Sequence, residues 1–202
     1  TTTSAAVTVN AGGTLSPGGY FQTLWNASMN GGTILLNGGV NATYPTFQLA
    51  GTFTVGGTTP STINVGSGSN NMINITGNGN STLTMDVADA TSSPAADLTI
   101  NAVLQNSPYG GNLTKTGAGT LRLNATNTYN GLTDIRAGTI EVASVTNGGT
   151  TGPLGSNNSI AMGGAATMGT LAFTGAGGST NRSITLAAGG GAYILLNAVI
   201  GF

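Results

Sequence analysis

The sequence predicts an all-β chain wound as a right-handed parallel β-helix, a solenoid of short strands with glycine-rich turns. Three observations predict it. Short apolar–polar–apolar triplets recur along the chain. The steps between them are rich in Gly, Thr and Asn, and most lack the Asn-Gly pair that marks a tight hairpin. The unit also resembles itself from one instance to the next.

In order, Thr1 to Val9 runs from a polar start into a strand that puts Val7 and Val9 on one face. Asn10 to Gly19 is a turn-rich link, with a short strand at Leu15 ahead of Pro17. In Tyr20 to Met29, the residues Phe21, Leu24, Trp25 and Ser28 lie three and four apart, the spacing of a helical turn. The same segment also suits an aromatic cap over an open end of the core, with Trp25 in it, and both readings stand. Residues 1–30 are thus an N-terminal strand and cap-like segment, and 31–202 the solenoid, in one continuous domain.

From Gly31 onward the triplets begin, at Thr33-Ile34-Leu35-Leu36. Their leading apolar residues Phe53, Ile63, Ile73 and Leu83 fall ten residues apart. Leu98-Thr99-Ile100, Leu121-Arg122-Leu123, Ile140-Glu141-Val142, Ile160-Ala161-Met162, Leu171-Ala172-Phe173, Ile184-Thr185-Leu186 and Ile194-Leu195-Leu196 follow. Strand side chains alternate faces, so each triplet turns its apolar ends inward and its central residue outward. No charged residue occupies an inward position of any triplet. Two or three strands per coil give coils of about 20–30 residues. About seven to ten such coils, stacked at about 4.8 Å, make a rod of about 35–50 Å. Three interruptions are expected: the Asp86 to Asp97 stretch with Pro94, the turn Ser107 to Gly111, and Thr146 to Asn158.

Charged residues make up 4% of the 202, the net charge is −1, and histidine and cysteine are absent. A globular domain typically carries about 25% charge. A surface of Thr, Ser, Asn and Gly bonds to water without repelling a neighbour, which suits packing against copies of itself or a wall. Four scattered cations do not neutralise a phosphate backbone, so nucleic acid is excluded as a partner. The most apolar stretch, Ala192 to Phe202, is too short to span a membrane and is interrupted by Asn197 and Gly201. No basic segment opens the chain at Thr1, so a signal peptide is absent or already removed. Without cysteine there are no disulfides or thiolate metal sites. The composition fits a secreted, extracellular or bacterial cell-surface setting.

Leu113 to Val142 (LTKTGAGTLRLNATNTYNGLTDIRAGTIEV) holds three of the four cations, Lys115, Arg122 and Arg136. It resembles the autotransporter-associated β-strand repeat, also called the passenger-associated transport repeat, whose pattern runs LxKxGxGTLxLxGxNTYxGxTxIxxGTLxV. Leu113, Lys115, Gly117, Gly119-Thr120-Leu121, Leu123, Asn127-Thr128-Tyr129, Gly131, Thr133, Ile135, Gly138-Thr139 and Val142 stand in register. Ala125 departs from the usual glycine, and Ile140 from leucine. The resemblance implies a secreted bacterial β-helical passenger or a very large surface protein, and it brings no catalytic residues.

Candidate sites are sparse. Asp86, Asp89 and Asp97 could ligate calcium, but the nonapeptide pattern of calcium-binding β-rolls is missing and a solvated loop explains them more simply. Asp134 and Glu141 on adjacent strands could be an acidic pair for glycoside hydrolysis. Ion pairs with Arg136 and Arg122 account for them with less. Without His or Cys, a nucleophile–base arrangement has no material. Thr-x-Thr steps (Thr52/Thr54, Thr82/Thr84, Thr114/Thr116) suggest ice-binding solenoids but lack one fixed phase along the chain. Glycosylation sequons occur at Asn26, Asn41, Asn74, Asn80, Asn112, Asn124, Asn157 and Asn181, as an Asn- and Thr-rich chain produces by chance.

The ends are strand-like and carry no polar cap, so the chain is either a piece of a longer protein or pairs with another copy, head-to-tail or laterally. Ile194, Leu195, Leu196, Val199, Ile200 and Phe202, with Val7 and Val9, form the expected assembly surface. The leading expectation is a non-enzymatic structural solenoid of a surface fibre, sheath or layer. The alternative is a carbohydrate-binding adhesin passenger using Tyr20, Tyr44, Tyr109, Tyr129 and Tyr193. A polysaccharide-degrading β-helix is disfavoured by the scarcity of acids and bases.

Overall fold

The computed structural model describes residues 6–18, 20–38, 46–75, 82–106, 110–196 and 200–201, and among these the chain has no helix. The chain winds as a parallel β-solenoid. Its strands visit three sheets in turn. The first sheet runs through Thr8–Asn10, Ser28–Asn30, Thr52–Val55, Thr82–Val87, Asn112–Thr116, Thr133–Ile135, Ser159–Met162 and Ser183–Leu186. The second runs through Thr14–Leu15, Thr33–Leu36, Ser61–Val65, Leu98–Ile100, Thr120–Leu123, Gly138–Val142, Met168–Phe173 and Gly191–Leu196. The third holds only Gln22–Trp25, Phe47–Ala50, Met72–Asn74 and Val103–Gln105. Eight coils therefore stack among the described residues. The ten-residue spacing is now explained: Phe53, Ile63, Ile73 and Leu83 lie on the first, second, third and again the first sheet.

In-register stacking turns each inward position into a column of apolar side chains. On the second sheet one column passes through all eight coils: Leu15, Ile34, Ile63, Ile100, Leu123, Val142, Phe173 and Leu196. Its interior members are buried, and Leu15 and Leu196 at its two ends are less so. Coil length is free to vary because only the strands must match. Leu113 sits opposite Thr133, 20 residues on, while Val55 sits opposite Val87, 32 residues on.

Tyr20 to Met29 is not helical. Gln22–Trp25 and Ser28–Asn30 are strands of two different sheets, with Asn26 at the corner between them in a left-handed conformation (φ 50°). The amides of Gln22 and Asn26 donate to Thr46 O and Ala50 O of the next coil, each at 3.2 Å, and those partners replace the local bonds of a helical turn. Trp25 alternates with buried Leu24 and points outward, 42% exposed, so it does not cover the core. The interior also takes in a charge that lies outside the triplets. Lys115 lies between Met85 and Ile135 in an inward column of the first sheet and has no exposed surface.

Leu123→Ala should cost about 2–5 kcal/mol, through lost burial and the cavity left in the column. Asn124→Ala next door removes an exposed bond to Asn101 (2.7 Å) and should cost about 1 kcal/mol or less. Urea denaturation of the two variants measures the contrast.

Candidate binding surface and the buried cations

Corners of the coil leave backbone carbonyls with no strand to pair with, and two cations fill that need. Lys115 Nζ donates to Thr116 O (2.6 Å), Gly117 O (2.8 Å) and Ala137 O (3.2 Å), so one ammonium ties the corner of its own coil to that of the next. Its three donors are all used. Gly138 closes over this site with φ at +65°, and a Cβ there would stand 2.4 Å from Gly117 O and 2.8 Å from Nζ, so glycine is required. Beside it, Asp97 is buried and accepts from Ala90 N (2.9 Å), Thr91 N (3.1 Å) and Thr120 N (2.8 Å). It pins the excursion that follows Val87 onto the next coil. The lysine and the glycines of the repeat pattern thus build a corner.

Beyond Val103–Gln105 the third face continues for two coils without strands, held by side chains. Buried Asn127 accepts from Leu104 N (2.8 Å) and donates to Pro153 O (2.6 Å), bridging the coils on either side. Tyr129 is wholly buried with its hydroxyl 2.7 Å from Thr133 Oγ1, which donates in turn to Leu154 O (3.1 Å). Arg182, 5% exposed, reaches into the strandless segment 146–158. It donates to Thr146 O (2.9 Å), Gly155 O (2.7 Å), Thr150 O (3.2 Å) and Asn157 O, with no carboxylate partner. Nothing in the sequence marks this role beyond a lone cation in the coil that follows a long loop.

On the outer faces, the ion pairs expected from the sequence form. On the second sheet Arg122 grips Glu141 through Nε (2.8 Å) and Nη2 (3.1 Å). On the first sheet Arg136 Nε donates to Asp134 Oδ2 at 2.7 Å. Asp134 and Glu141 therefore stand on different sheets and do not face each other across a cleft. The Asp134–Arg136 pair separates two hollows in the first sheet. One is lined by Thr82, Thr84, Asn112, Thr114 and Leu132, the other by Ala161, Gly163, Gly164, Ala165, Thr185 and Ala187.

The three acidic candidates are placed apart. Asp86 lies in strand Thr82–Val87 and accepts from Thr116 Oγ1 (2.9 Å), Asp89 accepts from Ser92 N (2.8 Å), and Asp97 is used as above. Among the described residues no group of three or more His, Cys, Asp or Glu is placed to hold a metal ion. Thr52, Thr84 and Thr114 share one outward column over three coils, after which Asp134 takes the place. Of the tyrosines, Tyr129 is core, Tyr20 and Tyr193 are exposed in the first and last coils, and Tyr44 and Tyr109 lie outside the described residues. Of the expected assembly surface, Leu195 and Leu196 are exposed and Ile194 and Val7 half-buried. Val9 is buried under Met29, Ile200 pairs with Gly178, and Val199 and Phe202 lie outside the described residues.

Residues 113–142 match the family model described as Passenger-associated-transport-repeat, which confirms the resemblance read from the sequence. The chain is similar to the Adhesin BmaC autotransporter of Brucella suis biovar 1 (strain 1330), 38% identical over 96 residues. That match covers 47% of this chain and 3% of the relative's length. No solved structure matches the chain. The two likenesses support a surface passenger domain built on a solenoid.

Burial makes Lys115 titrate low, at about 8 against an ordinary 10.5, with Asp86 and Asp97 opposing the shift. Between those values the unfolded chain binds the proton and the folded chain does not, so stability rises with pH across that window. The gain should be on the order of 3–4 kcal/mol at about 1.4 kcal/mol per unit, and absent in Lys115→Met. Burial raises the Tyr129 hydroxyl above its ordinary 10.0, with the bond to Thr133 and the charge of Arg182 opposing. Above pH 10.0 the unfolded phenol ionises first, so stability falls again, and Tyr129→Phe removes that loss. Denaturation midpoints collected from pH 7 to about 11 check both limbs.

Proposed function

We propose that this chain is a non-enzymatic, extracellular segment of an autotransporter-like surface adhesin, whose solenoid serves as a spacer and an assembly element. The observation that carries this reading is the eight-coil stack with the passenger repeat at its centre. Such a stack transmits length and presents continuous outer faces, while among the described residues no group of acids and bases forms a catalytic arrangement. The adhesin named above supports a role in surface attachment.

Self-association is the finer part of the proposal. In the last coil Leu186, Leu195, Leu196 and Tyr193 are 43–56% exposed, an apolar group on a surface with few charges to keep copies apart. A head-to-tail contact there that does not close would give a filament. Carbohydrate recognition is the second reading, favoured by the threonine-lined hollow of the first sheet.

Negative-stain electron microscopy with light scattering is expected to show filaments or lateral arrays that disperse in Leu196→Lys; a monodisperse rod of one chain sinks the assembly claim. Antibody labelling of intact producing cells, lost after mild external proteolysis, is expected for a surface passenger. Label seen only in lysed cells would refute it.

A further inference from the structure

The outward face of the first sheet carries a feature the core does not require. Two hollows of about 340 and 270 Å³ share Asp134 and Arg136 as a common wall. Together they form a trough over five strands, from Thr82–Val87 to Ser183–Leu186, a length on the order of 20 Å at about 4.8 Å per strand. Threonine hydroxyls and the Asn112 amide line one side, and alanine and glycine keep the floor of the other open.

The two surface arginines differ in what they leave free. Arg122 meets Glu141 through Nε and Nη2, which takes up both carboxylate oxygens and leaves Nη1 alone outside the pair. Arg136 meets Asp134 through Nε alone. Both terminal amino groups of Arg136, and Oδ1 of Asp134, have no hydrogen bond among the described residues, and the arginine side chain is 58% exposed. The trough therefore presents a donor fork and a carboxylate acceptor side by side, already balanced in charge.

We propose that this trough binds a linear neutral polysaccharide, with a vicinal diol on Arg136 and Asp134 and the hydroxyls of adjoining sugars on Thr82, Thr84 and Asn112. A vicinal diol both donates and accepts, and so uses the fork and the carboxylate together. An acidic sugar would meet the Asp134 carboxylate at the same point, so neutrality is selected. A pyranose chain advances by close to one strand spacing per residue, which brings successive sugars over successive strands. The proposal rests on the surface-adhesin reading and names its binding site.

The test is calorimetric titration of the 202-residue chain with cellotetraose, mannotetraose and xylotetraose, with tetragalacturonate as the acidic comparison. At least one neutral tetrasaccharide is expected to bind. Arg136→Gln and Asp134→Asn should each weaken it by about tenfold or more, and Arg122→Gln on the other sheet should leave it unchanged. Binding of the acidic sugar alone, binding of none of the neutral three, or undiminished binding by Arg136→Gln with parental circular dichroism and melting would overturn the proposal. Cell-surface labelling separates the two ideas. If the parent chain labels intact cells while no neutral sugar binds, the trough fails and the passenger reading stands; if labelling fails, the passenger reading falls on its own evidence.

Discussion

Parallel pairing between coils is the constraint from which everything else here follows. A strand of two to six residues has no partner within its own coil, so its backbone groups are satisfied by the coils before and after it. Each side chain then takes its nearest neighbours from residues 19 to 37 positions away, stacked one strand spacing apart. Like packs on like. The continuous second-sheet column from Leu15 to Leu196 is the outcome, and the outward rows of threonine and asparagine are its polar counterpart.

Where the path leaves a strand, that arrangement runs short of donors, and the two buried cations stand at those places. Lysine has three donors on a flexible stem and suits a single tight corner, where Thr116, Gly117 and Ala137 converge. Arginine has five donors in a broad fork, and Arg182 uses them across a segment that turns several times without a strand. Neither has a carboxylate bonded to it. Their partners are backbone carbonyl oxygens, several for each cation, and those bonds offset the cost of burying the charge.

The sequence made the periodic part legible. Ten-residue spacing from Phe53 to Leu83 and the Gly-Thr-Leu steps near Thr120 announce strands whose inward faces must match, and those strands are found. Tyr20 to Met29 misled because Phe21, Leu24, Trp25 and Ser28 satisfy a helical spacing, while Phe21, Thr23 and Trp25 equally satisfy strand alternation. Pairing to Thr46 and Ala50 decides between them, and it is not visible in ten residues. Lys115 belongs to none of the triplets and a lysine is seldom wholly buried; only the three-dimensional corner supplies its carbonyls. The trough was equally hidden. Its walls come from Thr82 through Ala187, and each lining residue alone is an ordinary outward strand or turn residue.

Arg182 belongs to the turn that leads into the last coil, yet most of its bonds reach back to a loop 25 to 36 residues earlier. That loop has no strand of its own, so its order is borrowed. When the coil at Ser183–Leu186 frays, the fork moves with it and the carbonyls of Thr146, Thr150 and Gly155 lose their common partner at once. Local opening would then advance in a jump of a whole loop rather than residue by residue. Amide exchange across 148–156 should accordingly keep time with the strand at 183–186 and run ahead of Gly138–Val142, which is nearer to it in sequence.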